Sequence, residues 1–145
     1  MKSKILIVDD DASVRQSFAR VLGAENYLTL LARNGKEAQE ILASTPIDLV
    51  MLDLNMPVQD GWQTFVNLSL DYPLIPIIII TARPNQFFSA LAAGVGALME
   101  KPLDFPKLLK TISELLGEPL AMRQARMAGA GSPLHYFPPT TLVRE

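Results

Sequence analysis

Two apolar runs in this chain end in aspartate. Ile5-Leu6-Ile7-Val8 leads into Asp9-Asp10-Asp11, and Leu49-Val50-Met51-Leu52 leads into Asp53. Uninterrupted runs of this kind read as strands covered on both faces, as in a parallel sheet. Adjacent carboxylates at a strand end repel one another and are relieved by a cation. If the two strands are parallel neighbours, Asp9, Asp10 and Asp53 meet at one rim. Hard carboxylate oxygens there suit Mg²⁺ better than a softer metal. Aspartate also follows strands simply as a turn residue or helix cap. Asp11 is read that way, because Ala12-Ser13-Val14-Arg15 looks like a helix start.

Further apolar runs extend the pattern. Strands are expected over Lys4 to Val8, Tyr27 to Ala32, Leu49 to Leu52, Ile77 to Ile80 and Ala97 to Glu100. The fourth runs into Thr81 and the fifth into Lys101-Pro102. Between them lie segments with apolar residues at helical spacing. The first runs from Ala12 to Gly23, a glycine that suits a helix end, and the second covers Lys36 to Ala43 after Asn34-Gly35. The third contains Trp62, Phe65, Val66 and Leu68, the fourth spans Asn85 to Ala93 with Gly94 closing it, and the fifth runs from an Asp104 cap to Leu116. Alternating strands and helices with right-handed crossovers give a doubly wound, five-stranded parallel α/β sheet. Ligands of such sheets sit beyond the carboxyl ends of the strands, where strand order switches. That rim carries the aspartates, Thr81 and Lys101.

The chain has 145 residues, a common size for one domain, and a net charge of −2. That charge gives no reason to expect direct nucleic-acid binding. Cysteine is absent, which removes disulfides and thiolate chemistry. The apolar run after Met1-Lys2-Ser3-Lys4 is too short for a signal peptide, and no segment approaches a bilayer span. A cytoplasmic location without membrane insertion is expected.

Four pieces together resemble the receiver domain of two-component response regulators. They are Ile5 to Asp11, Leu49 to Asp53 continuing through Asn55-Met56-Pro57 to Gly61, Ile77 to Thr81-Ala82, and Ala93-Gly94 through Glu100-Lys101-Pro102. The resemblance covers residues 1 to about 118, leaving 119–145 as a tail or linker containing proline and glycine. It implies a flavodoxin-like (βα)5 fold with strand order 2-1-3-4-5. It further implies that Asp53 accepts a phosphoryl group from a sensor histidine kinase or phosphotransfer protein, with no enzyme activity apart from self-phosphorylation from a phosphodonor and self-dephosphorylation. Asp10 is expected to bind Mg²⁺, with Asp9, Asp53 and the backbone carbonyl of Asn55 supplying further oxygens. Lys101 would contact Asp53 or its phosphate, and Pro102, after a cis bond, would set the direction of that ammonium. Thr81 would donate to the phosphate, drawing with it Ala82 and the loop that follows.

Two departures bear on signalling. Leu98 stands where many receivers carry the Tyr or Phe that swings with the threonine. The stretch after Thr81 is also short and holds Arg83-Pro84, so proline stiffens it. Phe87 and Phe88 are neighbours on one short helix, and Phe87 is expected to be the exposed ring, anchoring a homodimer or downstream-partner contact. In the tail, Leu120 to Met127 suits a short helix and His135 a loop. Three function classes follow: a single-domain phosphorylation-driven binding module, a receiver within a larger regulator or hybrid kinase, and a phosphatase with Asp53 as nucleophile. The last needs an acid two residues after the nucleophile, and Asn55 cannot serve.

Overall fold

The computed structural model describes residues 2–55, 61–128 and 134–140, with the side chains of Phe88 and Met127 left aside. The Met56-Pro57 piece and the tail residues Gly129, Gly131 and Pro133 lie outside the described residues. Strands are β1 (Lys4–Val8), β2 (Leu28–Ala32), β3 (Leu49–Asp53), β4 (Ile77–Thr81), β5 (Ala97–Glu100) and β6 (His135–Phe137). Helices are α1 (Ala12–Ala24), α2 (Gly35–Ser44), α3 (Gly61–Asp71), α4 (Phe87–Ala93), α5 (Phe105–Leu116) and α6 (Leu120–Met127).

The strands form one parallel sheet of order β2-β1-β3-β4-β5-β6. Strand alternation splits the core into two layers. Leu6, Val50, Ile79 and Leu98 point to one face, where Ala38, Leu42, Phe65, Leu68 and Ala90 cover them. Ile7, Met51, Ile78 and Met99 point to the other, under Phe18, Leu22, Leu108, Ile112 and Leu115. Every residue of β3 and β4 is buried, as the unbroken apolar runs require.

Helix starts follow side-chain chemistry. Asp11 accepts from the Ser13 and Val14 amides, Asn34 from Glu37 and Asp104 from Lys107, which satisfies donors that have no partner in the first turn. Gly94 closes α4 in the left-handed region at φ 76°.

The structure corrects four expectations. Among the described residues the sheet has six strands, because the tail supplies β6 beside β5. His135 therefore belongs to a strand, its amide donating to the Gly96 carbonyl at 3.3 Å. Gly23 lies inside α1, which continues to Ala24 and is capped at Glu25. The fourth helix begins at Phe87, since Asn85 is left-handed at φ 62° and breaks any earlier helical run. Helix α6 forms over the residues expected of it, and the tail is packed structure through that segment. Arg126 donates to both carboxylate oxygens of Glu118, at 2.8 and 2.6 Å, and Arg123 donates to the Leu115 carbonyl at 3.0 Å.

Candidate phosphoacceptor and metal site

The switch in strand order falls between β1 and β3, and the acidic residues lie at the carboxyl ends of these two strands. Asp9 and Asp53 are 2 % and 3 % exposed, whereas Asp10 is open to solvent. One oxygen from each of Asp9, Asp10 and Asp53 falls within 4.8 Å of the others. The Asp9 Oδ1 accepts the Asp11 amide at 2.9 Å, but its buried Oδ2 accepts no hydrogen bond. A buried carboxylate oxygen without a hydrogen bond, beside two further carboxylates, fits a hard dication.

The electrostatics point the same way. Burial raises the Asp9 carboxyl from 3.8 to about 6, and the charges of Asp53 and Asp10 add to this against the Asp11 amide and Lys101. Asp53 is also raised, first by burial and then by Asp10, against the Asn55 amide and Lys101. Without a metal, this pocket favours holding protons.

Lys101 enters from the end of β5. Its Nζ lies 3.7 Å from Asp53 Oδ2 and 3.8 Å from Asp9 Oδ2. The Lys101 amide donates to the Thr81 carbonyl at 2.8 Å, and the Lys101–Pro102 bond is cis. Thr81 is fully buried, and its Oγ1 accepts the Arg83 amide at 2.8 Å. The Asn55 amide donates to Asp53 Oδ1 at 3.0 Å. Ala82 is exposed at the start of the next loop.

Two residues escaped the sequence reading. Arg83 was noted only for its place in a stiff loop, yet its Nε donates to Asn55 Oδ1 at 2.7 Å and its guanidinium to the Leu54 carbonyl at 3.2 Å. It thus ties the loop after β4 to the loop after β3. The available signal was a cation two positions after the rim threonine. Gly61 closes the β3 piece of the resemblance, but the sequence gives no reason for glycine there. A Cβ there would run into Leu54 Cα and lie 2.8 Å from the Asp53 carbonyl, so the start of α3 against the end of β3 needs glycine.

Leu98 is fully buried in the sheet core. Its neighbour across β5 and β6 is Tyr136, whose ring meets Phe87 edge-on at 5.1 Å. Phe87 is therefore half-buried against the core and covered by the tail. The expectation of an exposed Phe87 anchor is corrected: β6 brings an aromatic ring onto it that periodicity within α4 does not reveal.

Residues 5–113 match the family model described as the response regulator receiver domain. The chain belongs to that family. Response regulator MprA of Mycolicibacterium vanbaalenii is 36 % identical over 118 residues, covering 80 % of this chain and 51 % of the relative. Transcriptional regulatory protein ZraR of Klebsiella oxytoca is 39 % identical over 114 residues, covering 77 % of this chain and 26 % of the relative. The chain thus spans about half the length, or less, of these curated relatives. Among solved structures, a CheY-like receiver domain protein from Methanospirillum hungatei aligns with TM-score 0.75 at 27 % identity, covering 80 % of this chain and 94 % of that one. Chemotaxis protein CheY4 of Vibrio cholerae aligns with TM-score 0.74 at 28 % identity, covering 79 % and 99 %. This receiver shares their flavodoxin-like parallel α/β architecture, with β6 added at one edge. Among the described residues, no helix is long and apolar enough to cross a membrane.

Proposed function

We propose that Asp53 is the phosphoacceptor of this receiver and that Asp9, Asp10, Asp53 and the Asn55 carbonyl hold Mg²⁺. The observation that carries this reading is the convergence at the switch point of the Lys101 ammonium, 3.7 Å from Asp53 Oδ2 and 3.8 Å from Asp9 Oδ2, on carboxylates that lie within 4.8 Å of one another. Bound there, Mg²⁺ would neutralise the acidic cluster and the oxygens of the incoming phosphoryl group.

The chain's own groups divide the remaining work. An Asp53 carboxylate oxygen attacks phosphorus, the P–N bond of a phosphohistidine breaks, and the imidazole nitrogen keeps the electron pair. The product is an acyl phosphate on Asp53. Lys101 already faces the Asp53 Oδ2 and offsets charge on the transferred group as a compact cation. Thr81 accepts from Arg83, which leaves its own O–H to donate to a phosphoryl oxygen. Water attack on phosphorus later restores the carboxylate. The phosphohistidine carrier is a sensor histidine kinase or a phosphotransfer protein. An apolar depression of about 580 Å³ beside Lys101, lined by Val14, Phe18, Pro102 and Phe105, offers it a seat.

The output is recruitment of a downstream protein by a surface that changes on phosphorylation, either by this domain alone or within a longer regulator. A phosphatase reading is disfavoured because Asn55 stands where an acid is required. The deciding experiment is intact-mass measurement after incubation with Mg²⁺ and acetyl phosphate. One phosphoryl group should appear on the wild type and none on Asp53→Asn. Labelling of that variant would refute the assignment of Asp53, and labelling that survives a chelator would refute the metal role.

A further inference from the structure

Strand β6 has three residues, and all of them are at least partly solvent-accessible. Without it, β5 would present an open sheet edge, which folds normally cover or blunt. The start of the strap is held by pairing of His135 with Ala97, by Leu134 against the core, by the His135 amide on the Gly96 carbonyl at 3.3 Å, and by the His135 ring 3.6 Å from Glu114. Beyond the β5 pairing and the packing of Phe137 on the core, three further holds run to the arms of the Asp53 site. The Tyr136 hydroxyl donates to Glu100, the residue before Lys101 and the register partner of Thr81. The Thr140 amide donates to the Pro102 carbonyl at 2.9 Å. The Tyr136 ring rests on Phe87, which follows the loop that Arg83 ties to Thr81.

We propose that residues 134–140 are a strap in cis over the β5 edge, and that phosphorylation of Asp53 loosens its Tyr136–Thr140 half. The proposal rests on the phosphoacceptor reading above. A phosphoryl group on Asp53 draws the Lys101 ammonium and the Thr81 hydroxyl toward it. Glu100, Pro102 and the loop leading to Phe87 are bonded to or continuous with those two residues. These three holds on the strap shift together, while Gly96 and Glu114 lie away from the rim and stay. A segment with so few buried groups sits at the low-stability end of the fold and responds to a small bias.

The test is hydrogen exchange on the full chain with Mg²⁺, with and without acetyl phosphate, with phosphoryl content read by intact mass from the same sample. Exchange of the Thr140 amide should speed up roughly tenfold on phosphorylation, within the usual span of coupling between sites, while His135 changes less. Asp53→Asn treated identically should show no change. A full phosphoryl gain with Thr140 exchange unchanged overturns the strap and leaves the phosphoacceptor reading intact. Faster exchange in Asp53→Asn also overturns it, because acetyl phosphate would then act without the site. Absence of any phosphoryl gain overturns the phosphoacceptor reading, and the strap's coupling with it.

Discussion

Asp9 stores an electrostatic cost at the centre of the site. Its carboxyl rises to about 6 in the fold from 3.8, so the native state holds a proton in a window where the unfolded chain has released it. The resulting stabilisation is complete below about pH 4 and is lost as pH rises through 6. In chelator, the stability of wild type relative to Asp9→Asn should therefore fall between pH 4 and 6, as read from urea midpoints at each pH. A flat difference would show that Asp9 is not strained. Gly61 constrains the end of β3 sterically. Gly61→Ala should cost about 2 kcal/mol, the scale of forcing atoms into a filled site. It should also slow phosphoryl labelling, because the atoms it displaces are the Leu54 and Asp53 backbone.

Helix α6 shows how a polar pair holds an element with little apolar surface to bury. Arg126 and Glu118 meet with both side chains 6 % exposed, and Arg123 reaches back to the end of α5. Removing Arg126 leaves the buried Glu118 carboxylate without its two hydrogen bonds and with only the 3.9 Å contact to Arg123. Arg126→Ala should therefore destabilise the protein by about 3 kcal/mol in urea unfolding. Arg126→Met combined with Glu118→Leu should recover part of that, since neither member of the pair is left buried without the other, while Arg123 loses its 3.9 Å contact with Glu118. If the double variant is as unstable as the single one, the pair matters through geometry that neutral side chains cannot copy. Helix α4 shows the converse. Its face is set by Tyr136 from another element, which is why the orientation of Phe87 was not readable from α4 itself.

At the scale of the molecule, a dication binding only the native arrangement should raise stability by mass action. The melting temperature should increase in millimolar Mg²⁺, and the increase should be smaller in Asp10→Ala. Asp10 suits this comparison because it is exposed, so its removal leaves no hole in the core. An equal response in both proteins would mark the effect as nonspecific ionic screening.

By itself, the sequence determined the parts that depend on local pattern. Apolar runs of full strand length set β1 and β3–β5 nearly to their boundaries. Asp11 and Asp104 set helix starts, because a capping side chain needs only its own next few residues. The residue types at the strand ends picked out Asp9, Asp10, Asp53, Thr81 and Lys101, since parallel strands must deliver their ends to one rim. Tertiary structure alone decided the rest. Residues 135–137 are too few and too mixed to read as a strand, and they form one only because β5 leaves an edge to pair with. Phe87 is covered by a ring from beyond α6, and Arg83 links two loops 28 positions apart in sequence. The Asp9 carboxyl is raised first by burial. Pairing across the sheet, loop-to-loop hydrogen bonds and desolvation act between residues distant in the chain, so periodicity and propensity, which are local, carry no trace of them.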